Sequence, residues 1–175
     1  PAPSDDEFGC AALGHPRRLQ VQLAGPLAGR PLIERNSGSA QPVFDGSTLL
    51  EPAWLPEGWS FRGEGVAYPL ADTSQAWSRG WGPESTDPFA CAPALSVVQG
   101  TASAIEQMPN VMGAGPELGR YDIAGTTAVH TRNAERFAER LTWTSGDLAV
   151  AVLATTCGPD PVDLDSLLQF ARSLG

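Results

Sequence analysis

The clearest alternation of apolar and polar positions lies in the last part of the chain. Residues 141–144 alternate apolar and polar, as a half-buried strand does. Residues 148–153 carry apolar side chains on both faces of a second strand, which indicates that both faces are covered. Ser145 and Gly146 can form the loop between them, because glycine adopts positive φ at little cost. The pattern predicts a β-hairpin.

A helix is predicted directly after this hairpin. Pro159 and Pro161 end the second strand, since neither residue can donate to a ladder. Asp163 is a natural N-cap, and Asp165 is favoured in the first turn by the helix dipole. The apolar positions that follow have helical spacing and form one stripe: Leu164, Leu167, Leu168, Ala171 and Leu174. This stripe predicts a helix that packs on the sheet.

Shorter alternating segments upstream predict further strands. They lie at residues 18–23, 31–35, 60–70, 75–81 and 93–99, with two more segments around Gly125 within 120–132. A turn at 56–58 leads into the strand at Trp59, residues 101–108 form a short helix or turn, and residues 133–139 form a polar connection or one helical turn. The predicted fold class is α+β, a mostly antiparallel sheet with the C-terminal helix packed on it. We expect residues 1–16 to be a flexible acidic arm and residues 17–175 to be a single domain.

Charge narrows the choice of partners. The formal net charge is −9, all 11 basic residues are arginine, and no basic stripe is available to neutralise phosphates, so the sequence argues against a nucleic-acid partner. No apolar run is long enough to span a membrane. An acidic arm is typical of a stem behind a removed signal or anchor. We therefore expect an extracytoplasmic location, with membrane contact only through a tether.

Three cysteines bear on the compartment. Cys91 opens one apolar run and Cys157 closes another, so both can lie at strand ends, and we predict a disulfide between them. In the chain-entropy model such a long loop contributes roughly 4 kcal/mol. Cys10 is then left over and can be free, replace one of the other two, or link two molecules. Three buried free thiols in a cytosolic protein are the alternative.

No established catalytic motif is present. The sequence contains no serine-hydrolase elbow, zinc-ligand spacing or phosphate-binding loop. His15 lies near the arm, and His130 lies on a predicted strand near Asp122. Asp160, Asp163 and Asp165 are candidate calcium ligands, but they lack the full calcium-binding loop, and helix capping explains Asp163 and Asp165 better. We therefore predict no catalytic residue, metal or cofactor, and keep as an alternative a hydrolase with an unfamiliar site near His130.

Tryptophan is frequent in this chain, with five residues. Trp77, Arg79 and Trp81 alternate on one face of a predicted strand and form the candidate binding surface, a platform on which a sugar or a partner chain can stack. The competing interpretation is that both tryptophans anchor the core.

Three segments resemble one group of proteins when they are taken in order. They are Leu-Pro-Glu-Gly-Trp at 55–59, Leu-Thr-Trp-Thr-Ser-Gly-Asp-Leu-Ala-Val at 141–150, and Asp-Leu-Asp-Ser-Leu-Leu-Gln-Phe-Ala-Arg-Ser-Leu at 163–174. Together they resemble the extracytoplasmic domains of bacterial anti-sigma-factor-associated and lipoprotein-carrier-like proteins, and residues 18–38 resemble a strand pair of actinobacterial secreted proteins. The resemblance implies no catalytic residues.

The function that follows from these observations is a non-enzymatic extracytoplasmic binding module, tethered or secreted, whose partner is a protein. The alternative is a carrier-like domain that binds a small apolar or lipid ligand in an enclosed cavity between sheet and helix.

Overall fold

The computed structural model describes most of the chain from residue 49 onward. The described residues are 32–33, 35, 38, 40–41, 49–67, 76–84, 93–106, 108, 115–146, 148–156 and 163–175. The predicted arm, the strand predicted at 18–23, and all three cysteines lie outside these residues. The division into an arm and a single domain therefore stays a prediction.

Strands dominate the described part of the chain. The strands are β1 (Leu32–Ile33), β2 (Ala40–Gln41), β3 (Trp59–Val66), β4 (Ala76–Pro83), β5 (Ala94–Gly100), β6 (Glu117–Ile123), β7 (Thr126–Asn133), β8 (Ala138–Ser145) and β9 (Leu148–Thr155). The helices are α1 (Ala102–Glu106), a 3-10 turn (Ala134–Arg136) and α2 (Leu164–Arg172). Strands β1 and β2 pair with each other, and the other strands form one seven-stranded antiparallel sheet.

Two strand meanders meet in the middle of the large sheet. Its order is β3-β4-β5-β9-β8-β7-β6, so the first three strands form one meander and the last four form the other. They are joined by the antiparallel pair β5–β9. Because β9 is central, both of its faces are covered, and its residues 149–154 are all buried. This confirms the interpretation of the apolar run at 148–153.

The turns follow local chemistry. Ala124 and Gly125 connect β6 to β7 with φ values of 51° and 80°, which suit the tight hairpin turn that needs positive φ at both central residues. Asp122 accepts a hydrogen bond from the Gly125 backbone N–H at 3.3 Å. The hairpin β8–β9 closes with Ser145 opposite Leu148, as the sequence predicts to within one residue.

Helix α2 packs on one face of the sheet, which we call the helix face. Asp163 caps it by accepting hydrogen bonds from the backbone N–H groups of Asp165 and Ser166, each at 3.3 Å. After the helix, Leu174 forms a bridge with Pro52, which ties the segment before β3 to the end of the chain. The predicted helix and its packing on the sheet are therefore confirmed. The sequence analysis missed Phe170, which is fully buried and packs edge-on against Trp81 at 5.6 Å between ring centroids.

The main core fills the space between α2 and the sheet. Its larger buried members are Trp81, Leu95, Val97, Ile123, Leu141, Trp143, Val150, Val152, Leu167, Leu168 and Phe170. A smaller core lies on the opposite face, where Ala104, Ile105 and Met108 pack on Val98, Ala149, Ala151 and Leu153. Burial of this apolar area is the main term that stabilises the sheet.

One element differs from its prediction. Residues 133–139 were expected to be a polar connection or one helical turn, and a 3-10 turn is present at Ala134–Arg136, but β8 already begins at Ala138. Glu139 therefore lies within a strand and is buried. The reason is that it pairs with Arg132 in the β7–β8 register and extends the alternation of Leu141 and Trp143 by one step.

In the part of the chain that the structure describes, no helix has the length and apolar character that a membrane crossing requires.

Candidate functional site

A charged group on the helix face lies beside the outermost strand, β3. We call it the Arg79 cluster: Arg79 with Glu51, Glu64, Phe61 and Trp81. Arg79 forms an ion pair with Glu51 through Nη1, and its Nε lies 3.2 Å from a carboxylate oxygen of Glu64 without hydrogen-bond alignment. The Arg79 side chain is 12% exposed, whereas that of Glu51 is 63% exposed. The cation is therefore almost enclosed, while one of its carboxylates reaches solvent.

Aromatic rings complete the Arg79 cluster. The guanidinium carbon lies 5.3 Å from the centre of the Phe61 ring and 5.7 Å from that of Trp81, within the range of cation–π attraction. The two rings contact each other edge to face at 5.9 Å. Phe61 is 44% exposed, which is unusual for a large apolar side chain so close to the core.

Arg79 also holds the segment that precedes β3. Its Nη1 donates to the backbone oxygen of Leu50 at 3.5 Å, and the Leu50 N–H donates to the buried side chain of Gln99 at 2.7 Å. The backbone at residues 50–51 is thereby fixed over β4 and β5. The arginine acts first as a structural tie, and the accessible part of the cluster consists of Glu51 before β3 together with Phe61 and, to a smaller extent, Glu64 on β3.

No strand of the described residues pairs with the outer side of β3. The Ala67 N–H donates to the oxygen of Ala76, so Val66 and Glu64 occupy the alternate positions, at which N–H and C=O point away from β4. The hydrogen bond from Glu84 N–H to Gly58 places Phe61 in the same orientation, and a bulge between Phe61 and Gly63 separates the two stretches. Among the described strands β3 is the last of the sheet, and we call the side on which no described strand pairs with these groups the free edge of β3.

Two glycines lie on the face of β3 that is opposite to the helix. A side chain at Gly63 or Gly65 would meet no atom within 4 Å, and Gly65 has no positive φ. A glycine inside a strand costs roughly 0.5–1 kcal/mol relative to alanine. Neither crowding nor backbone conformation in the described part of the fold requires glycine at Gly65.

A second charged group on the helix face is sealed. We call it the His130 pair: His130 on β7 and Glu139 on β8, whose Nε2 and carboxylate oxygen are 2.8 Å apart. Both side chains are 5% exposed. Arg132 lies 3.7 Å from the other carboxylate oxygen, and Tyr121 contacts the imidazole edge to face at 6.0 Å. The sequence placed His130 near Asp122, but Asp122 lies opposite Thr127 at the hairpin end of β6, and Glu139 is the partner.

The His130 pair lacks the neighbour that a nucleophilic reaction needs. Nδ1 of His130 is buried and has no hydrogen-bond partner among the described residues. No hydroxyl or thiol of the described chain is bonded to the imidazole, and no group of three or more potential metal ligands occurs there either.

Arg140 lies on the opposite face, between Thr131 of β7 and Leu153 of β9 in the strand register. Its Nε and Nη1 atoms are buried and have no partner among the described residues. This burial lowers the pKa of the guanidinium group.

The candidate surface from the sequence is partly internal. Trp77, Arg79 and Trp81 share one face of β4, in register with Gln99, Val97 and Leu95 of β5. Trp81 is only 3% exposed because Phe170 packs on it, and Trp77 is half-buried. A ligand would therefore meet this face through Phe61 and Glu64, which the sequence analysis did not select. Their place on an edge strand depends on strand order, which the residue pattern does not contain.

Comparisons with known proteins give distant structural likeness. No family model and no curated protein sequence matches the chain. Among solved structures, the chain is similar to the crystal structure of MucB in complex with MucA(peri), with a TM-score of 0.36 and 16% sequence identity. The match covers 72% of this chain and 36% of that one, so this chain spans about a third of the MucB length. Family membership does not follow from a likeness of this size.

Proposed function

We propose that this chain is a non-catalytic binding module that receives an extended segment of a partner protein along the free edge of β3. The observation that carries the proposal is the set of outward backbone groups of Phe61, Glu64 and Val66 at the end of the sheet. Addition of a strand to an open edge uses such groups for affinity and the adjacent side chains for selectivity. Phe61 supplies an exposed apolar contact beside them.

The other free edge of the sheet is less suited to this role. On β6, Glu117, Leu118, Arg120 and Asp122 are all exposed, and Arg120 forms an exposed ion pair with Glu117 at 2.8 Å. Charged side chains along an edge strand discourage the approach of another strand, and β6 carries three charged residues among seven where β3 carries two among eight. Strand β3 has eight residues, and two of them, Gly63 and Gly65, are glycines that follow the bulge. These glycines leave room beside the strand for a second backbone and its side chains.

The carrier and hydrolase alternatives have less support. Buried side chains such as Phe170, Leu167 and Trp81 occupy the described interface between α2 and the sheet, where a carrier would hold an apolar ligand. A hydrolase would require a nucleophile beside His130, and the described chain places Glu139 and Tyr121 there instead. We therefore propose binding without catalysis.

The proposal is tested with a proline at an outward N–H. Peptides selected from a displayed random library on the wild-type domain are measured against Val66→Pro and, as the matched control, Val66→Thr. Proline removes the N–H that a docked strand would use, and loss of one hydrogen bond weakens binding about tenfold. Val66→Thr keeps that N–H and is expected to bind like wild type.

Hydrogen exchange gives the second readout. Amides of Phe61, Glu64 and Val66 should become protected when the peptide binds, while those of the β6 edge should not change. Equal affinity for wild type and Val66→Pro, with both variants folded by circular dichroism, contradicts the proposal. Protection confined to another part of the sheet contradicts it as well.

The extracytoplasmic location is a part of the proposal that the cysteines can test. We propose a Cys91–Cys157 disulfide, as the sequence predicts. A thiol titration of the denatured, unreduced protein should find one free thiol. Three free thiols would contradict the disulfide and favour a reducing compartment.

A further inference from the structure

The free edge of β3 lies in an acidic part of the surface. Glu57 lies in the turn before the strand, Glu64 lies within it, and Glu84 follows β4 beside the same turn. In the described part of this edge, the strand exposes a single arginine, Arg62, against these carboxylates. Glu57 and Glu84 lie at the start of β3, whereas Glu64 lies beyond the bulge, so an extended segment docked along the strand meets the two acidic places in turn.

The Arg79 cluster adds no free positive charge to this edge. Arg79 is enclosed between the carboxylates of Glu51 and Glu64, and its guanidinium also lies against two aromatic rings. Its charge is therefore compensated within the fold, with one carboxylate in excess. The whole chain is acidic as well, with a formal net charge of −9.

The opposite face of β3 offers space next to that charge. Beside Gly63 and Gly65, the register places Gly80 and Ser78 of β4 on the same face, so the nearest neighbours are also small. On a paired strand, the residue directly across lies about 4.5–5.5 Å away between Cβ atoms, and diagonal neighbours are within reach of long side chains. A side chain on an added strand can therefore extend toward the two glycines, where an added Cβ would meet no described atom within 4 Å.

We infer that the segment received by β3 is basic, with lysine or arginine beside Glu64 and bulky apolar residues over Gly63 and Gly65. This inference rests on the proposed function, because it specifies the partner of the same edge. Since residues of a strand alternate between faces, the expected partner alternates basic and bulky apolar positions. Cross-strand pairs of opposite charge add modest affinity, and the acidic surface accelerates association.

A second copy of this chain fits the edge less well. Pairing of β3 with itself would bring two acidic edges of the same protein together, and like charges that face each other across strands are destabilising. The occupant is therefore a different chain with the opposite charge.

The inference is tested with three labelled synthetic peptides of ten residues. One alternates lysine and isoleucine, one alternates glutamate and isoleucine, and one alternates lysine and glycine. Fluorescence polarisation at low salt should rank the lysine–isoleucine peptide first. The glutamate–isoleucine peptide should bind about tenfold more weakly, because two or three exposed charge pairs are reversed. The lysine–glycine peptide should bind about tenfold more weakly as well, because it lacks the isoleucine contacts.

Variants then separate this inference from the proposed function. Glu64→Gln combined with Glu84→Gln should reduce the preference for lysine over glutamate, while Val66→Pro should weaken every peptide that binds. Equal binding of both isoleucine peptides, lost in Val66→Pro, overturns the basic partner and leaves edge docking intact. If neither isoleucine peptide binds, edge docking itself is overturned. Binding that Val66→Pro does not change overturns it as well. Dimerisation of the free domain in sedimentation experiments, lost in Val66→Pro, would instead identify a second copy as the occupant and overturn the inference.

Discussion

The Arg79 cluster and the His130 pair lie on the same face of one sheet, yet they differ in how far their polar side chains are exposed to solvent. The His130 pair is closed, with both side chains 5% exposed and a contact of 2.8 Å. The Arg79 cluster is graded, from an enclosed guanidinium to a carboxylate that is 63% exposed. A closed hydrogen-bonded pair contributes to the fold, whereas a graded cluster at a free edge leaves groups that a partner can contact. This contrast is the physical reason for placing function at β3.

The contrast predicts its largest effect at the sealed pair. His130→Leu should reduce the free energy of unfolding by about 3 kcal/mol, because the Glu139 carboxylate stays buried without its close hydrogen-bond partner. Urea unfolding at neutral pH measures the change, and the dependence on urea concentration should stay the same.

The matched control is the double variant His130→Leu with Glu139→Leu. It should be more stable than the single variant, because it leaves no buried charge in the pair. If the single variant loses less than about 1 kcal/mol, the value typical of exposed pairs, the pair is not a sealed charge and the contrast fails.

The sequence predicted local features better than the pairing of distant strands. The β8–β9 hairpin and α2 were predicted because their alternation, turn glycine and N-cap are contained in consecutive residues. Glu139 was assigned to a polar connection because its neighbours Ala138 and Arg140 give no clear alternation of apolar and polar positions. Extending the alternation of Leu141 and Trp143 backward by one step would have placed it on the apolar face.

The site shows the same limit of prediction. Trp77, Arg79 and Trp81 were correctly placed on one face, because their spacing of two residues defines a face. Glu51 and Phe61 were not connected with them, since a contact across two chain segments depends on where the 49–56 segment crosses the sheet. Nothing in the spacing of residues along the chain contains that information.

The Arg79 cluster should give an intermediate effect. Arg79→Ala should reduce the free energy of unfolding by about 1–2 kcal/mol, because the released carboxylates can be solvated while the cation–π contacts are lost. Arg79→Met is the control that retains the packing of the side-chain stem. Hydrogen exchange at Leu50 should become faster in both variants, since its backbone is tied by Arg79. A loss as large as that of His130→Leu would mean that the cluster is as sealed as the pair.

The glycine at the free edge should show a change of opposite sign. Gly65→Thr should raise the free energy of unfolding by about 0.5 kcal/mol, because a β-branched residue replaces glycine in a strand with open space around it. Gly58→Thr is the matched control, with equally open space but φ of +75°, and it should destabilise. Gly65→Thr should also weaken the lysine–isoleucine peptide by filling the space that its side chains use. If Gly65→Thr is more stable than wild type but binds the peptide with unchanged affinity, the glycines are not part of the binding site.

A pH-dependent effect is expected at the N-cap of α2, which lies outside both groups and carries an exposed charge. The Ser166 hydroxyl donates to Asp163 at 2.6 Å and, together with the N–H groups of Asp165 and Ser166, lowers the pKa of the Asp163 carboxyl. A carboxyl with a lowered folded-state pKa contributes stability above its unfolded value of about 3.9, and this contribution is lost as the pH falls through the folded-state value.

Asp163→Ala should therefore lower the thermal midpoint at pH 5–7, and the difference from wild type should shrink as the pH falls below about 4. Ser166→Ala, which removes the largest cause of the shift, should move this loss to higher pH. A difference between wild type and Asp163→Ala that grows on acidification would contradict the sign of the shift.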